Sequence, residues 1–204
     1  ISEPCLPTEG CIVGASAEQR YAAMQDTSMH QIELMQDIIV SNSSSLNRNL
    51  TITSAAVNDC ADSSRCALHG EDVCGFLHLD ISKEVSREST ISLQFTGLDI
   101  GSFICSYSSG NGSVLQALGN GLSKVHAMFT NCSIHDNSAG YGGVVAISDF
   151  QEMTVKVDEC EVTNNSAMFG GWLYAEASAE ANTLIGVDIR NSLIGEMWPT
   201  LTTV

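Results

Sequence analysis

Several polar side chains of this 204-residue chain recur at equivalent positions of related segments, each between two apolar residues. Asp99, Ser133, Glu161 and Asp188 are flanked in this way in LDI, CSI, CEV and VDI. If these segments are adjacent parallel strands, Glu161 and Asp188 lie about 4.8 Å apart, and a cation would relieve the repulsion between their carboxylates. The pattern predicts a weak calcium site at Glu161 and Asp188. The alternative is an ordinary solvated face of an acidic protein, with Arg190 as the nearest basic side chain.

The eight cysteines are an even number, which allows up to four disulfides in an oxidising compartment. The local pairs Cys5–Cys11 and Cys60–Cys66 are expected, because each would close a short loop. The cysteines predicted to be oxidised are Cys5, Cys11, Cys60, Cys66, Cys74 and Cys105.

A zinc site is the alternative for the cluster around His69, which lies between Cys66 and Cys74. Zinc sites use closer pairs such as Cys-x-x-Cys, so a disulfide-pinned loop is the better interpretation. The five histidines, at positions 30, 69, 78, 126 and 135, have no spacing that indicates a Ser-His-Asp or Cys-His arrangement. Each is predicted to be a surface or corner residue.

The charge balance limits the partners. With 24 acidic and 8 basic residues the chain carries a formal charge of −16, which repels nucleic-acid phosphates and anionic membranes. No segment approaches the roughly 18 consecutive apolar residues of a membrane-spanning helix. Calcium, basic partners and neutral glycans remain as partners, with no other cofactor expected.

Five Asn-x-Ser/Thr sequons agree with an oxidising compartment. The predicted glycosylation sites are Asn42, Asn49, Asn111, Asn131 and Asn164. Sequons and cysteines together predict a secreted or cell-surface glycoprotein.

A repeat carries many of these residues. CSIHDNSAGYGG at 132–143 is followed by CEVTNNSAMFGG at 160–171, with Cys, Asn, Ser, Ala and the glycine pair recurring 28 residues apart. A fixed period of this length indicates stacked structural repeats. Segments such as MTVKV at 153–157 alternate with the period of two that is typical of strands. One repeat is therefore three short strands and three corners, which is one coil of a parallel β-helix.

The corners are predicted at the polar and glycine positions of the repeat, because Asn and Gly tolerate left-handed backbone. Asn137 and Asn165 should stack in one ladder of side-chain hydrogen bonds. The glycines of the next corner are Gly142, Gly143, Gly170 and Gly171.

Two apolar columns follow from stacking the repeats. The inward column is Leu98, Cys132, Cys160 and Val187, and its companion is Ile100, Ile134, Val162 and Ile189. Cys132 and Cys160 should then lie on adjacent coils inside the core, either as buried thiols or as a disulfide.

The predicted fold is all-β: a right-handed parallel β-helix of about six coils over residues 31–204. Residues 1–30 would form an N-terminal disulfide loop and a short capping helix at 16–26, where Ser16 and Gln19 have capping-box spacing. Such a helix would cover one open end of the stack. No comparable lid follows residue 192, so we expect the chain to continue, or to dock onto a partner, at that end.

The segments at 134–145 and 162–173 resemble the repeats of chlamydial polymorphic membrane proteins and related eukaryotic β-helix proteins. In that pattern Phe-x-x-Asn is followed by Gly-Gly-Ala-Ile. Asn137 and Asn165 occupy the Asn position, whereas Ile134 and Val162 replace the Phe. The glycine pairs also match, and Val-Val and Trp-Leu replace Ala-Ile.

The start of the chain, through IELMQDIIV at 32–40, is similar to many pectate-lyase-like β-helices. The first resemblance implies surface display, adhesion or assembly, and hence a structural or adhesive module that acts through protein–protein contacts. The alternative is a carbohydrate-active β-helix, either a polysaccharide lyase or hydrolase or a glycan-binding module. A lyase of this kind implies acidic residues that bind calcium beside an Arg or Lys base, and the column with Asp188 and Arg190 is the nearest equivalent.

Overall fold

The computed structural model describes residues 11–13, 26, 28–55, 60, 65–71, 73–83, 88–105, 110–177, 183–195 and 197–198. These residues form an all-β solenoid of about four turns, in which the paired strands are parallel. Nearly all of the predicted capping helix falls on residues 14–25, outside the described part. In the described part, no helix has the length and apolar character that crossing a membrane requires.

Three long sheets and one short sheet form the sides of the solenoid. The first sheet contains, in spatial order, β1 (Cys11–Val13), β2 (Gln31–Leu34), β5 (Leu50–Ser54), β8 (Thr90–Thr96), β11 (Lys124–Thr130), β15 (Glu152–Asp158) and β19 (Leu184–Arg190). The second sheet contains β3 (Ile38–Val40), β6 (Cys66–Gly70), β9 (Leu98–Gly101), β12 (Ser133–His135), β16 (Glu161–Thr163) and β20 (Leu193–Ile194). The third sheet contains β4 (Ser44–Leu46), β7 (Leu77–Asp80), β10 (Leu115–Leu118), β14 (Val145–Ser148) and β18 (Leu173–Glu176). The short sheet contains β13 (Ser138–Tyr141), β17 (Asn165–Phe169) and β21 (Met197–Trp198).

The strands form because their apolar residues alternate and because like residues stack on like. In β11 and β15 every second residue is buried, and the buried positions of one strand are in register with those of the other. Phe95 on β8 is in register with Phe129 on β11, and their rings stack with centroids 4.8 Å apart. The core is therefore a set of columns that run along the solenoid axis.

From β8 onward, the described corners on either side of the second sheet each turn through one residue with left-handed backbone, and equivalent corners of successive coils stack. The residues at the corner between the first and second sheets are Gly97, Asn131, Glu159 and Asn191. Those that follow the second sheet are Ser102, Asp136 and Asn164, and those that precede the third sheet are Gly112, Gly142 and Gly170. Because the left-handed residue recurs at the same place, the corners keep the strands of each coil in phase with the next.

The glycine pairs of the repeat are required by space as well as by backbone angle. Gly142 has φ 58°, and a Cβ there would collide with the carbonyl oxygen of Val145. A Cβ on Gly143 would collide with the carbonyl oxygen of Gly171 in the next coil. The glycine corner thus allows the backbones of neighbouring coils to approach closely.

Asn137 and Asn165 are fully buried and form a ladder of hydrogen bonds. Asn137 donates its side-chain amide to Asn165 Oδ1 at 2.9 Å and its backbone N–H to the same oxygen at 3.1 Å. Asn165 Nδ2 donates to the carbonyl of Ile134 at 2.9 Å, and the backbone N–H of Phe103 donates to Asn137 Oδ1 at 3.1 Å. The two amides satisfy backbone groups that the corners leave without strand partners.

In the described part of the chain, two disulfides link cysteines between positions 60 and 105. Cys60 is bonded to Cys66, and Cys74 is bonded to Cys105. Cys132 and Cys160 are buried free thiols on adjacent coils, and the backbone N–H of Cys132 donates to Cys160 Sγ at 3.3 Å. Cys5 lies outside the described residues, so its bond to Cys11 stays a prediction. Disulfides are consistent with an extracellular protein.

Candidate functional site

The acidic column expected from the sequence follows the second sheet only as far as Glu161. Asp99, Ser133 and Glu161 are in register on β9, β12 and β16. The next residue of this column is Leu193 on β20, not Asp188. The prediction that Glu161 and Asp188 are neighbours that share a calcium ion is therefore wrong.

Asp188 instead lies on β19 of the first sheet, in register with Lys156. Arg190 Nε and a terminal guanidinium nitrogen contact its two carboxylate oxygens at 3.0 Å and 2.8 Å. The carboxylate thus has a basic partner of its own. The same shift corrects the apolar columns: Val187 stacks on Val155 rather than on Cys160, and Ile194 rather than Ile189 follows Val162.

The outer face of the second sheet carries a different cluster, formed by His69, Asp99 and His135. These residues lie on the adjacent strands β6, β9 and β12. One ring nitrogen or carboxylate oxygen from each lies within 4.8 Å of the others. His135 Nε2 is 2.8 Å from Asp99 Oδ1, and His69 Nε2 is 3.6 Å from Asp99 Oδ2.

A missing side chain explains how the two imidazoles meet. His69 and His135 are in one outward column, but they are separated by Gly101 on β9, which is in register with both. A Cβ on Gly101 would lie 2.9 Å from Cε1 of His135. The rings instead approach across this gap, with centroids 5.8 Å apart and planes at 84°.

Hydrogen bonds from the neighbouring corner fix the His135 ring. Its Nδ1 donates to Asp136 Oδ2 at 2.7 Å, and Asn164 Nδ2 donates to the other oxygen of that carboxylate. Partial burial of the ring lowers the pKa of His135, but hydrogen bonds to Asp136 and Asp99 outweigh it, so the pKa is raised. The hydrogen bond from His135 and a second from Asn164 lower the pKa of Asp136.

The His69 ring has an unusual polar atom. Its Nε2 is shielded from solvent and is without a hydrogen-bond partner in the described part of the chain, although 37 % of the side chain is exposed. His69 and Asp99 also border a depression of about 270 Å³, whose other lining residues are Asp37, Ile38, Ile39, Arg65 and Ala67. The cluster is thus half-buried and open on one side.

This cluster was not predicted from the sequence, because the predicted apolar columns begin at Leu98 and leave out the strand of His69. Leu68, Ile100 and Ile134 are in register. Each is followed by an outward residue, which places His69, Gly101 and His135 in one line. The sequence feature that relates the two histidines is that each directly follows an inward aliphatic residue, Leu68 before His69 and Ile134 before His135.

The five sequon asparagines are all exposed at their corners and strand ends. Asn131 and Asn164 have left-handed backbone, and Asn131 Oδ1 accepts a hydrogen bond from Arg65 at 3.1 Å. Nothing in the described part of the fold buries these side chains, so the glycosylation sites stay predictions.

A second surface is formed by the edge strand β19, beyond which no described strand of the first sheet lies. Ile185, Val187 and Ile189 are in register with buried Met153, Val155 and Val157, so they continue the core columns. They are nevertheless 44 %, 47 % and 44 % exposed. The apolar interior of the solenoid is therefore uncovered at this edge, within the part of the chain that the structure describes.

Comparisons with models of protein families, with curated proteins and with solved structures give no match to this chain.

Proposed function

We propose that this chain is a structural module of an extracellular or cell-surface assembly, built as a right-handed β-helix of about six coils. The observation that carries the proposal is the uncovered edge at β19. The two disulfides and the exposed sequon asparagines support the extracellular location.

The edge strand has the composition of a core strand rather than of a solvated one. Edge strands of soluble proteins are usually protected by charges, bulges or covering segments. On β19 the inward positions are occupied by Ile185, Val187 and Ile189, and the neighbouring Leu184 is 63 % exposed. An exposed row of this kind is typical of a surface that pairs with another strand.

The partner that fits this edge best is a second copy of the same edge. The three aliphatic side chains are arranged symmetrically about Val187, so an antiparallel copy would place Ile185 of each strand opposite Ile189 of the other. A two-fold interface requires such self-complementarity. The outward Asp188 would add little repulsion between the copies, because Arg190 already neutralises it. The module would thus assemble end to end.

Sedimentation velocity over a range of protein concentrations tests the proposal. The native chain should show a concentration-dependent dimer, and Val187→Lys should weaken it by at least about tenfold, since it places a charge in the centre of the interface. Ile104→Lys is the matched control, because Ile104 is 63 % exposed and far from β19 in the register. A native chain that sediments as a monomer throughout, or a dimer that Val187→Lys leaves intact, would contradict this interface.

One observation favours the alternative of a carbohydrate-active module. The depression of about 270 Å³ on the second sheet is bordered by Asp37, Arg65 and Asp99, and acidic and arginine side chains commonly hydrogen-bond sugar hydroxyls. A screen against acidic and neutral polysaccharides, with and without calcium, tests it. Binding or turnover that Arg65→Gln abolishes would promote this alternative over the assembly module.

A further inference from the structure

We propose that His69, Asp99 and His135 form a binding site for a divalent transition-metal ion, with Zn²⁺ as the representative ion. The proposal does not depend on the assembly role of β19. It rests on the positions of three ligand-type side chains, one orphaned ring nitrogen and the hydrogen bonds that orient His135.

The ligand atoms already lie close to the separations that a single ion requires. Zn²⁺ binds His nitrogen and Asp oxygen at about 2.0 to 2.2 Å, so two ligands of one ion are separated by about 3 to 3.5 Å. His135 Nε2 and Asp99 Oδ1 are 2.8 Å apart, and His69 Nε2 and Asp99 Oδ2 are 3.6 Å apart. All three ligand atoms lie within 4.8 Å of one another, so they already surround one position for an ion.

The shielded Nε2 of His69 is the strongest single sign of a ligand. A buried polar atom without a partner is costly, and native proteins rarely leave one without a role. This nitrogen is shielded from solvent and makes no hydrogen bond among the described residues, its nearest carboxylate oxygen being Asp99 Oδ2 at 3.6 Å, and it belongs to the same group of ligand atoms as His135 Nε2. A metal ion between the two rings would satisfy it.

His135 has the outer hydrogen bond that metal-binding histidines usually have. A ligating imidazole commonly donates its second ring nitrogen to a carboxylate, which fixes the tautomer and the ring orientation. His135 Nδ1 donates to Asp136, and Asp136 is held in turn by Asn164. Nε2 is thereby left to face Asp99 and the cluster.

The backbone positions of the ligands are fixed by regular strands rather than by loops. His69, Asp99 and His135 are on three consecutive strands of the second sheet, and the inward neighbours Leu68, Ile100 and Ile134 are buried. Gly101 supplies the space in which the imidazoles meet. Sites on rigid elements lose little free energy to ordering when the ion binds.

The donor set selects the class of ion. Two imidazoles and one carboxylate suit Zn²⁺, Cu²⁺, Ni²⁺ and Fe²⁺, whereas Ca²⁺ requires six to eight oxygen ligands. Three protein ligands leave at least one coordination position for water, as in open zinc sites. The 27 % to 37 % exposure of the three side chains keeps that position accessible.

The first test is isothermal titration calorimetry of the full chain with Zn²⁺ and, in a separate experiment, with Ca²⁺. We expect one Zn²⁺ per chain with a Kd of about 10 µM or tighter, and no Ca²⁺ binding in the same range. Loss of a hydrogen-bond partner of a metal ligand costs about 10- to 100-fold in metal affinity. His69→Gln and His135→Gln each remove a ligand itself, so each should weaken Zn²⁺ binding by more than this. His126→Gln is the matched control, because His126 lies outward on β11 in the first sheet.

Two further variants separate ligation from a general effect on the sheet. Asp136→Asn keeps the shape but weakens the hydrogen bond to His135, so it should cost about 10-fold in affinity. Gly101→Ala retains every ligand but pushes against the His135 ring, and should also weaken binding. Circular dichroism melts establish that each variant is folded.

Cu²⁺ spectroscopy on the native chain provides a readout that needs no variant. Pulsed electron paramagnetic resonance should detect two imidazole nitrogens on one bound Cu²⁺. No Zn²⁺ binding by the native chain, Zn²⁺ binding that survives both His69→Gln and His135→Gln, or Cu²⁺ with fewer than two imidazoles would each overturn the proposal.

Discussion

The two halves of the solenoid share one architecture but are cross-linked differently. Between residues 31 and 105 the described cysteines form two disulfides, one of which spans 31 residues of sequence. Between residues 124 and 176 no disulfide is described, and Asn137 and Asn165 stack one coil apart, 28 residues along the chain. In this second half, the regular half, identical side chains of neighbouring coils can bond to each other, because the left-handed corners at 131 and 159, 136 and 164, and 142 and 170 recur 28 residues apart. Where the spacing between coils varies, covalent bonds take over that role.

The largest effect should come from breaking the amide ladder of the regular half. Asn165→Leu removes three hydrogen bonds and leaves the buried N–H of Asn137 without its acceptor. We expect a loss of about 3 to 5 kcal/mol in the free energy of unfolding, since each orphaned buried group costs about 1 to 3 kcal/mol. Urea denaturation measures it, with Glu161→Gln on the exposed face as the control. Equal stability of the two variants would show that the ladder does not stabilise this half of the solenoid.

In the first half the corresponding change is removal of a disulfide. Replacing Cys74 and Cys105 by alanine should cost about 3 to 4 kcal/mol, because their bond restricts a long loop of the unfolded chain. The same double replacement at Cys60 and Cys66 should cost about 2 kcal/mol, because the two cysteines are separated by only 6 positions in the sequence. Thermal melts of the two double variants give the order, and the reverse order would show that chain entropy does not govern these bonds.

The glycine corners should matter less than the amide ladder or the Cys74–Cys105 bond. Gly142→Ala places a Cβ on a left-handed residue and against the carbonyl of Val145. A cost of about 2 kcal/mol is expected, of which the left-handed backbone contributes about 1 to 2 kcal/mol. Gly186→Ala on β19 is the control, because its Cβ would meet no atom closer than 3.7 Å. A Gly142→Ala protein as stable as the control would mean that the corner can relax.

The smallest effect is expected at the two core thiols of the regular half. Cys132 is fully buried and Cys160 is 4 % exposed, so both pack as small apolar side chains. Each alanine replacement should cost about 1 kcal/mol, which corresponds to the loss of one buried methylene-sized group. Neither thiol should react with an alkylating reagent until the protein unfolds. Rapid alkylation of the native protein would show instead that this half opens locally.

The structure of the regular half was predictable from the sequence, because the segments at 132–143 and 160–171 repeat the same corners and strands 28 residues apart. The all-β parallel solenoid and the Cys60–Cys66 bond are confirmed. The last coil was placed wrongly, since alternating apolar residues have the same pattern on every sheet. From its pattern, the segment VDI at 187–189 could pair with CEV at 160–162 or with VKV at 155–157. The length of the connection before it determines that it pairs with VKV. The error moved Asp188 to the wrong side of the solenoid.

The cluster of His69, Asp99 and His135 could not be predicted from spacing along the chain. Its two histidines are 66 positions apart in the sequence, and they come together only through the register of three strands. Gly101, which lies between the two histidines, has no side chain that would mark it as part of a site. It contributes only the space in which the two imidazoles meet. The five-residue interval between the two corners flanking the second sheet is constant in the coils that carry Asp99 and His135, but no described left-handed corner flanks β6, the strand of His69.

Coil length in this protein is variable only at certain places. Successive coils advance by 34, 28 and 32 residues, yet the left-handed corners on either side of the second sheet keep their spacing. Most of the extra residues enter between Cys105 and Gly110 and between Ala177 and Thr183. The described strands on both sides of these two places stay in register with the neighbouring coils despite the added length, whereas a single residue added within β9 or β12 would turn the following side chains of that strand to the opposite face. The register of the columns is thus independent of the lengths of these two connections.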